Sequence, residues 1–383
     1  MRRVLTGALL AFSLAAHSTS GLAADAQTVA IMHQVYDAIS YLLPVSIRDL
    51  NQDKPYDTAL VNEKLTVLEN AADGLVKHAS AQEAEFAFLA RSFDRTIVDL
   101  RSAFDQQWPA HAYFAMMDLT QYCAACHSRL PSDSQARFGQ ILMARIDTDS
   151  IERVDLARLY LATRQFDAAM DAYERVLNDP QTDLVEADID GTLSDYLHTA
   201  ISVAGEMDRA AAFINKLAAR DNLPQYLVSR FSRWRQDFEL IKPELAAPAD
   251  IDAARTLFSR ATSATLLPYG RDRAVLDFGA ANRLRVLLTE QRDSLPATVR
   301  AEAYYLLGII TLRSVKARAP VPDMELLMEA AIRTQPHGSY ARPAYAVLEE
   351  YGFFQGHLLQ DIGEPDSSAP PIIDMAALRD LVH

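Results

Sequence analysis

Residues 121–130 read QYCAACHSRL, and they contain both cysteines of a 383-residue chain. Cys123 and Cys126 stand three apart, and His127 follows at once. The fold that carries this stretch depends on what such a thiol pair is for and on what precedes it. With 50 % hydrophobic and 23 % charged residues the composition is that of an ordinary globular protein, and the few glycines and prolines among long Ala/Leu-rich runs favour helices over strands. The length suits two or three domains of about 150 residues each. A net charge of −14 argues against nucleic acid and anionic lipid, which bind through basic patches, and favours a basic protein partner.

Residues 1–26, MRRVLTGALLAFSLAAHSTSGLAADA, have the zones of a secretory signal peptide. Arg2 and Arg3 form the basic start, Val4 to Ala16 the apolar run, and Ala24-Asp25-Ala26 offers small residues for cleavage, with Leu22-Ala23-Ala24 as a rival site. The apolar run is too short to span a bilayer, and no later stretch is apolar enough. Cleavage would leave 35 basic and 50 acidic residues in a soluble periplasmic protein.

An oxidising compartment narrows the reading of Cys123 and Cys126. A disulfide between residues three apart closes a very small loop and gains little chain entropy. A thioredoxin-like pair needs a preceding strand in a βαβ setting. A zinc site needs a fourth ligand, usually from a second pair, whereas the other histidines are scattered singly. Cys-x-x-Cys-His fits the attachment signature of c-type haem, one per chain. The two thiols then add to the vinyl groups of the macrocycle, and His127 is placed to bind the iron.

The residues before the motif repeat at helical spacing. Val29, Met32, Val35, Tyr36, Ile39 and Leu43 mark a first helix over 26–43, stopped by Pro44. A second runs from Asp57, as N-cap, to His78, with Leu60, Leu65, Leu68, Ala72 and Leu75 on one face. A third covers 82–107 through Phe86, Leu89, Phe93, Ile97, Leu100 and Phe104. Pro109 opens a fourth, which carries Tyr113, Met117 and the CAACH motif and ends at Pro131. Four such helices with short loops predict an up-and-down bundle over 27–132.

This arrangement resembles the class II c-type cytochromes, the cytochrome c′ family and its low-spin relatives, over residues 26 to about 132. The resemblance implies a four-helix bundle with covalent haem c near the end of its last helix. Cys123 and Cys126 would be the thioether sites and His127 the proximal iron ligand. Low-spin members close the sixth position with a Met on the first helix, where Met32 stands here beside His33. Met32 is the candidate sixth ligand and His33 a lesser one; the alternatives are that Met32 is one of ten methionines filling core space and that the face is open or otherwise blocked. The family's basic residue beyond the motif is missing; Arg129 is the substitute contact for a propionate.

Beyond Pro131 the character changes. Residues 153–181, RVDLARLYLATRQFDAAMDAYERVLNDPQ, resemble a tetratricopeptide repeat, with Ala157 and Ala169 at the helix crossing and Pro180 near the close. Degenerate helix pairs follow over 193–220, 250–292 and 301–337, the last with Gly308 at a close-packing position. The expected fold is therefore all-α, the haem bundle being followed by a TPR-like α-solenoid over 150–352. A proline-containing tail over 353–383 carries a short helix at about 374–382.

Solenoids of this kind hold other proteins. There is no G-x-S-x-G elbow, phosphate-binding Gly-rich loop or second metal-ligand cluster, so an enzyme is not expected. The expected function is an exported monohaem electron-transfer cytochrome whose repeats dock a redox partner or a larger assembly. The alternative is a haem-based NO or CO sensor or carrier whose repeats relay occupancy to a partner.

Overall fold

Burial and capping decide where the expected helices begin and end. A computed structural model of the chain describes residues 26–51, 57–79, 84–108, 148–179, 189–221, 223–263, 273–314, 322–360 and 373–383, with scattered positions between 111 and 144. Every regular element among the described residues is helical, as the composition implied. The leader up to Asp25 lies outside them.

Helix α1 (Ala26–Asn51) corrects the expected stop, because it runs through Pro44. A proline inside a helix costs roughly 3 kcal/mol through its missing N–H and the ring clash. The neighbours Leu42, Leu43 and Val45 are all buried, at about 1.5–3 kcal/mol for each large side chain, and together they outweigh that cost. Ser46 adds a local bond, its hydroxyl donating to the Leu43 carbonyl at 2.8 Å. Helix α2 (Thr58–Ala79) starts where Asp57 caps it: the carboxylate accepts the Leu60 N–H at 3.1 Å. Helix α3 (Ala84–Asp105) follows.

Cross-helix contacts fix the register. Lys64 pairs with Asp37 at 3.1 Å, while a Cβ placed on Gly74 would meet Ile31 at 3.6 Å, so α1 and α2 are antiparallel. Arg101 holds Glu69 through two 2.7 Å bonds, while Asp94 feels the charge of Asp73, so α2 and α3 are antiparallel too. A fourth stretch is helical at each of its described positions between 111 and 123. Its Ala112, Ala115, Met116, Leu119 and Tyr122 share one buried core with α1, α2 and α3.

The rest of the described chain stacks helices around a second core. Helices α4 (Arg153–Ala162) and α5 (Phe166–Asn178) pair where Ala157 and Ala169, both fully buried, let the backbones approach. Gly139 lies so close to the α4–α5 turn that an added Cβ would stand 2.2 Å from the Thr163 carbonyl oxygen. Helix α6 (Ile189–Leu197) runs into a π-helical segment, His198–Val203, whose wider winding displaces carbonyls from the ladder. Asn282 recovers one of them, donating from Nδ2 to the Ile201 oxygen at 3.0 Å. Helices α7 (Met207–Ala218), α8 (Gln225–Ala246), α9 (Ile251–Ser263), α10 (Ala274–Glu290) and α11 (Ala297–Ser314) continue the array.

Helix α12 (Pro322–Thr334) packs tightly on α11, where a Cβ on Gly308 would meet Met328 Cε at 2.7 Å. Helix α13 (Ala341–Gln360) extends well past residue 352, and α14 (Met375–Val382) forms where the tail helix was expected. That terminal helix is core, because Leu378 and Val382 are buried and His337 donates its N–H to the Leu381 carbonyl at 2.9 Å. The two cores meet: Leu326 of α12 and Leu159 of α4 belong to the N-terminal one, whereas Met324, Leu327 and Met328 of α12 belong to the second.

Candidate functional site

The buried stripe of the 111–123 stretch includes Tyr122, and Cys123 beside it packs against the N-terminal core. Cys123 is a half-buried free thiol, and burial pushes its pKa up to about 12. At neutral pH it is a protonated thiol. Redox-active and nucleophilic cysteines depend instead on a thiolate stabilised by cationic or helix-terminal surroundings. Cys126, His127 and Arg129 lie outside the described residues.

Met32 is half-buried on α1 and packs against the same core, whereas its neighbour His33 is exposed. His111 acts on Asp99 and stands edge-on to Trp108. Met32 of α1 and Cys123 of the fourth stretch pack against one core. Cys123 and Met32 are sulfur donors of the kind that the expected haem c would take; Cys126 and His127, the other residues expected to hold it, lie outside the described residues. His78 is half-buried in the last turn of α2, and His111 is exposed.

A second group of titratable side chains, buried in the array, was missed in the sequence. Asp237 of α8 and Asp277 of α10 are buried, their side chains 1 % and 4 % exposed. Arg273 Nη2 lies 2.7 Å from Asp237 Oδ1, and Arg313 Nη2 lies 3.2 Å from Asp277 Oδ2. Arg313 also donates to Thr262 Oγ1 at 3.0 Å and stands over the Phe258 ring at 5.9 Å. Both oxygens of Asp237 and Oδ1 of Asp277 accept no aligned hydrogen bond. Desolvation raises Asp277 to about 7, against the pull of Arg313 and Arg273 and reinforced by Asp237. It raises Asp237 to about 6, opposed by Arg273 and Arg233. A signal for them existed: Asp237 shares the core stripe of Trp234, Phe238 and Ile241, and Asp277 sits in a run, Ala274–Leu284, that is buried throughout.

Because the folded array holds these protons more tightly than the unfolded chain, their contribution to stability is full below about pH 4 and is lost as pH rises to about 7. Asp277→Asn removes the larger part. Thermal unfolding of wild type and variant between pH 5 and pH 8 is expected to show wild type losing a few kcal/mol relative to the variant, at about 1.4 kcal/mol per pKa unit. Parallel pH profiles would contradict a buried, proton-holding Asp277.

Among the described residues no group of three or more His, Cys, Asp or Glu is placed to hold a metal ion, and no helix is long and apolar enough to cross a membrane. No family model, no curated protein and no solved structure matches the chain.

Proposed function

We propose that this chain is an exported, periplasmic c-type cytochrome with one haem, which passes single electrons and uses its helical array to dock a redox protein. The observation that carries the reading is the Cys123-x-x-Cys126-His127 motif, whose first cysteine lies on a fourth helical stretch and packs half-buried against the core that Met32 also lines. In this reading residues 27–132 form a class II four-helix bundle and residues 150–352 a tetratricopeptide-like solenoid. The bound haem would supply a one-electron iron couple. Cys123, Cys126 and His127 would hold that group, and Met32 would be the candidate for its sixth ligand, in a helical unit whose core Met32 and Cys123 both line. Thioether ligation raises the reduction potential.

The partner is a protein with a basic face. The mature chain carries 50 acidic against 35 basic residues, which steers cationic surfaces and repels nucleic acid. The array adds exposed apolar side chains on α8, Tyr226, Val228 and Leu240, of the kind that docking surfaces use.

Met32→Ala tests the closed site. The reduction potential is expected to fall by on the order of 0.1 V, within the roughly 0.8 V span that axial ligands command, and the ferrous variant is expected to take up CO faster than wild type. An unchanged potential, or wild-type protein that already binds CO rapidly, would favour the NO/CO sensor or carrier instead.

A further inference from the structure

Helix α14 is eight residues long, too short to persist in water by itself. It therefore forms where it docks, against α12 and α13, and undocking unfolds it. Both of its ends are anchored. At the start Asp374 caps the helix, accepting the Ala377 N–H at 2.9 Å, and Ile373 just before it packs against both hydrophobic cores. Leu378 and Val382, one turn apart, are buried in the array core. At the other end, carbonyls that no helical N–H reaches find outside donors. Leu381 O accepts the His337 N–H at 2.9 Å, and Val382 O accepts from Arg342 Nε at 3.3 Å. His337 stands in the turn between α12 and α13 at φ 58°, a left-handed conformation that residues with a Cβ seldom adopt, and its bond to Leu381 helps to hold it there. Helix α12, on which α14 lies, serves both cores. At 100° per residue, Met324, Leu327, Met328, Ala331 and Ile332 form its array face, and Leu326 points away from them into the N-terminal core, where α12 meets α3.

We propose that residues 373–383 are a strap that clamps α12 between the two cores, so that the packing of the N-terminal helical unit is controlled from α14. The strap has two states, a docked helix and a released coil, because the helix is too short to survive release. Docked, it closes the outer side of α12, ties the α12–α13 turn through His337 and sets Ile373 in the seam between the cores. Release exposes Leu378 and Val382, frees that turn and withdraws Ile373, and α12 then holds Leu326 less firmly against α3. This inference is independent of the haem reading, since every group in it belongs to α3, α12, α13 and α14.

Hydrogen exchange on the full chain reads the opening of each helix separately and tests the strap. Leu378→Ala is expected to lower amide protection about tenfold in α14 and α12 and about threefold in α3, and to leave α7, which packs on α8 and α5, within about twofold of wild type. Leu326→Ala interrupts the transmission, so in that background Leu378→Ala is expected to cost α3 no further protection. Val382→Ala leaves a smaller cavity and is expected to give the same pattern at smaller size, which keeps the test decisive if Leu378→Ala does not fold. Protection that falls in α14 and α12 but not in α3, or falls equally in α3 with and without Leu326, would overturn the strap. Equal losses in α14 and α7 would overturn it too, since they would mean global unfolding and no separately released segment.

Discussion

Replacing both Cys123 and Cys126 by Ala is expected to abolish covalent haem on a denaturing gel. The expectation follows from covalency: only the thioethers survive denaturation, whereas ligation through His127 depends on the fold. Cys123→Ala alone is expected to leave partial staining, since one thioether remains possible. Cys123 is half-buried, so loss of its sulfur creates at most a small void and the helical unit should persist. Far-ultraviolet circular dichroism separates lost attachment from lost folding. A doubly substituted chain that is folded and still stains would contradict haem attachment at this motif.

The second large effect is expected in the array. Trp234 is 1 % exposed, with Phe231 at 5.6 Å between ring centroids and the Arg230 guanidinium 5.9 Å from its ring. Trp234→Ala is expected to cost about 3–5 kcal/mol, which in a domain of this size lowers Tm by on the order of 10 °C. The indole Nε1 is buried without a hydrogen-bond partner. Trp234→Phe therefore removes an unsatisfied donor along with part of the ring, and is expected to cost under about 1.5 kcal/mol. Calorimetry on the two variants checks this. Equal destabilisation by Ala and Phe would mean that ring volume is not what holds α8 in place.

Local periodicity made much of this fold legible. Leu65, Leu68, Ala72 and Leu75 mark a face that is buried in α2, and Asp57 caps that helix as its position implied. The small residues Ala157, Ala169 and Gly308 also stand where helices pack closely. Pro44 misled because a local rule about the missing N–H competes with burial of its neighbours, which only the packed structure reveals. Helix α8 was overlooked although Leu227, Phe231, Trp234, Phe238 and Ile241 follow helical spacing; no motif drew attention to residues 221–249. The carboxylates of Asp237 and Asp277 and the seam at Leu326 were harder to read. Each depends on helices brought together across long sequence separations, and single-helix periodicity says nothing about which faces meet. At the Cys-x-x-Cys-His motif the sequence carries most of the reading, and the described structure adds the half-buried thiol of Cys123 and its common core with Met32.

The measurement that bears most directly on that site is the visible spectrum of the full chain, oxidised and reduced, after export from a host able to mature c-type cytochromes, with haem quantified on the denatured protein. One haem per chain, retained after denaturation and changing its spectrum on reduction, is the expected result. A purified, folded chain without haem absorbance, its two thiols both titratable, would contradict it.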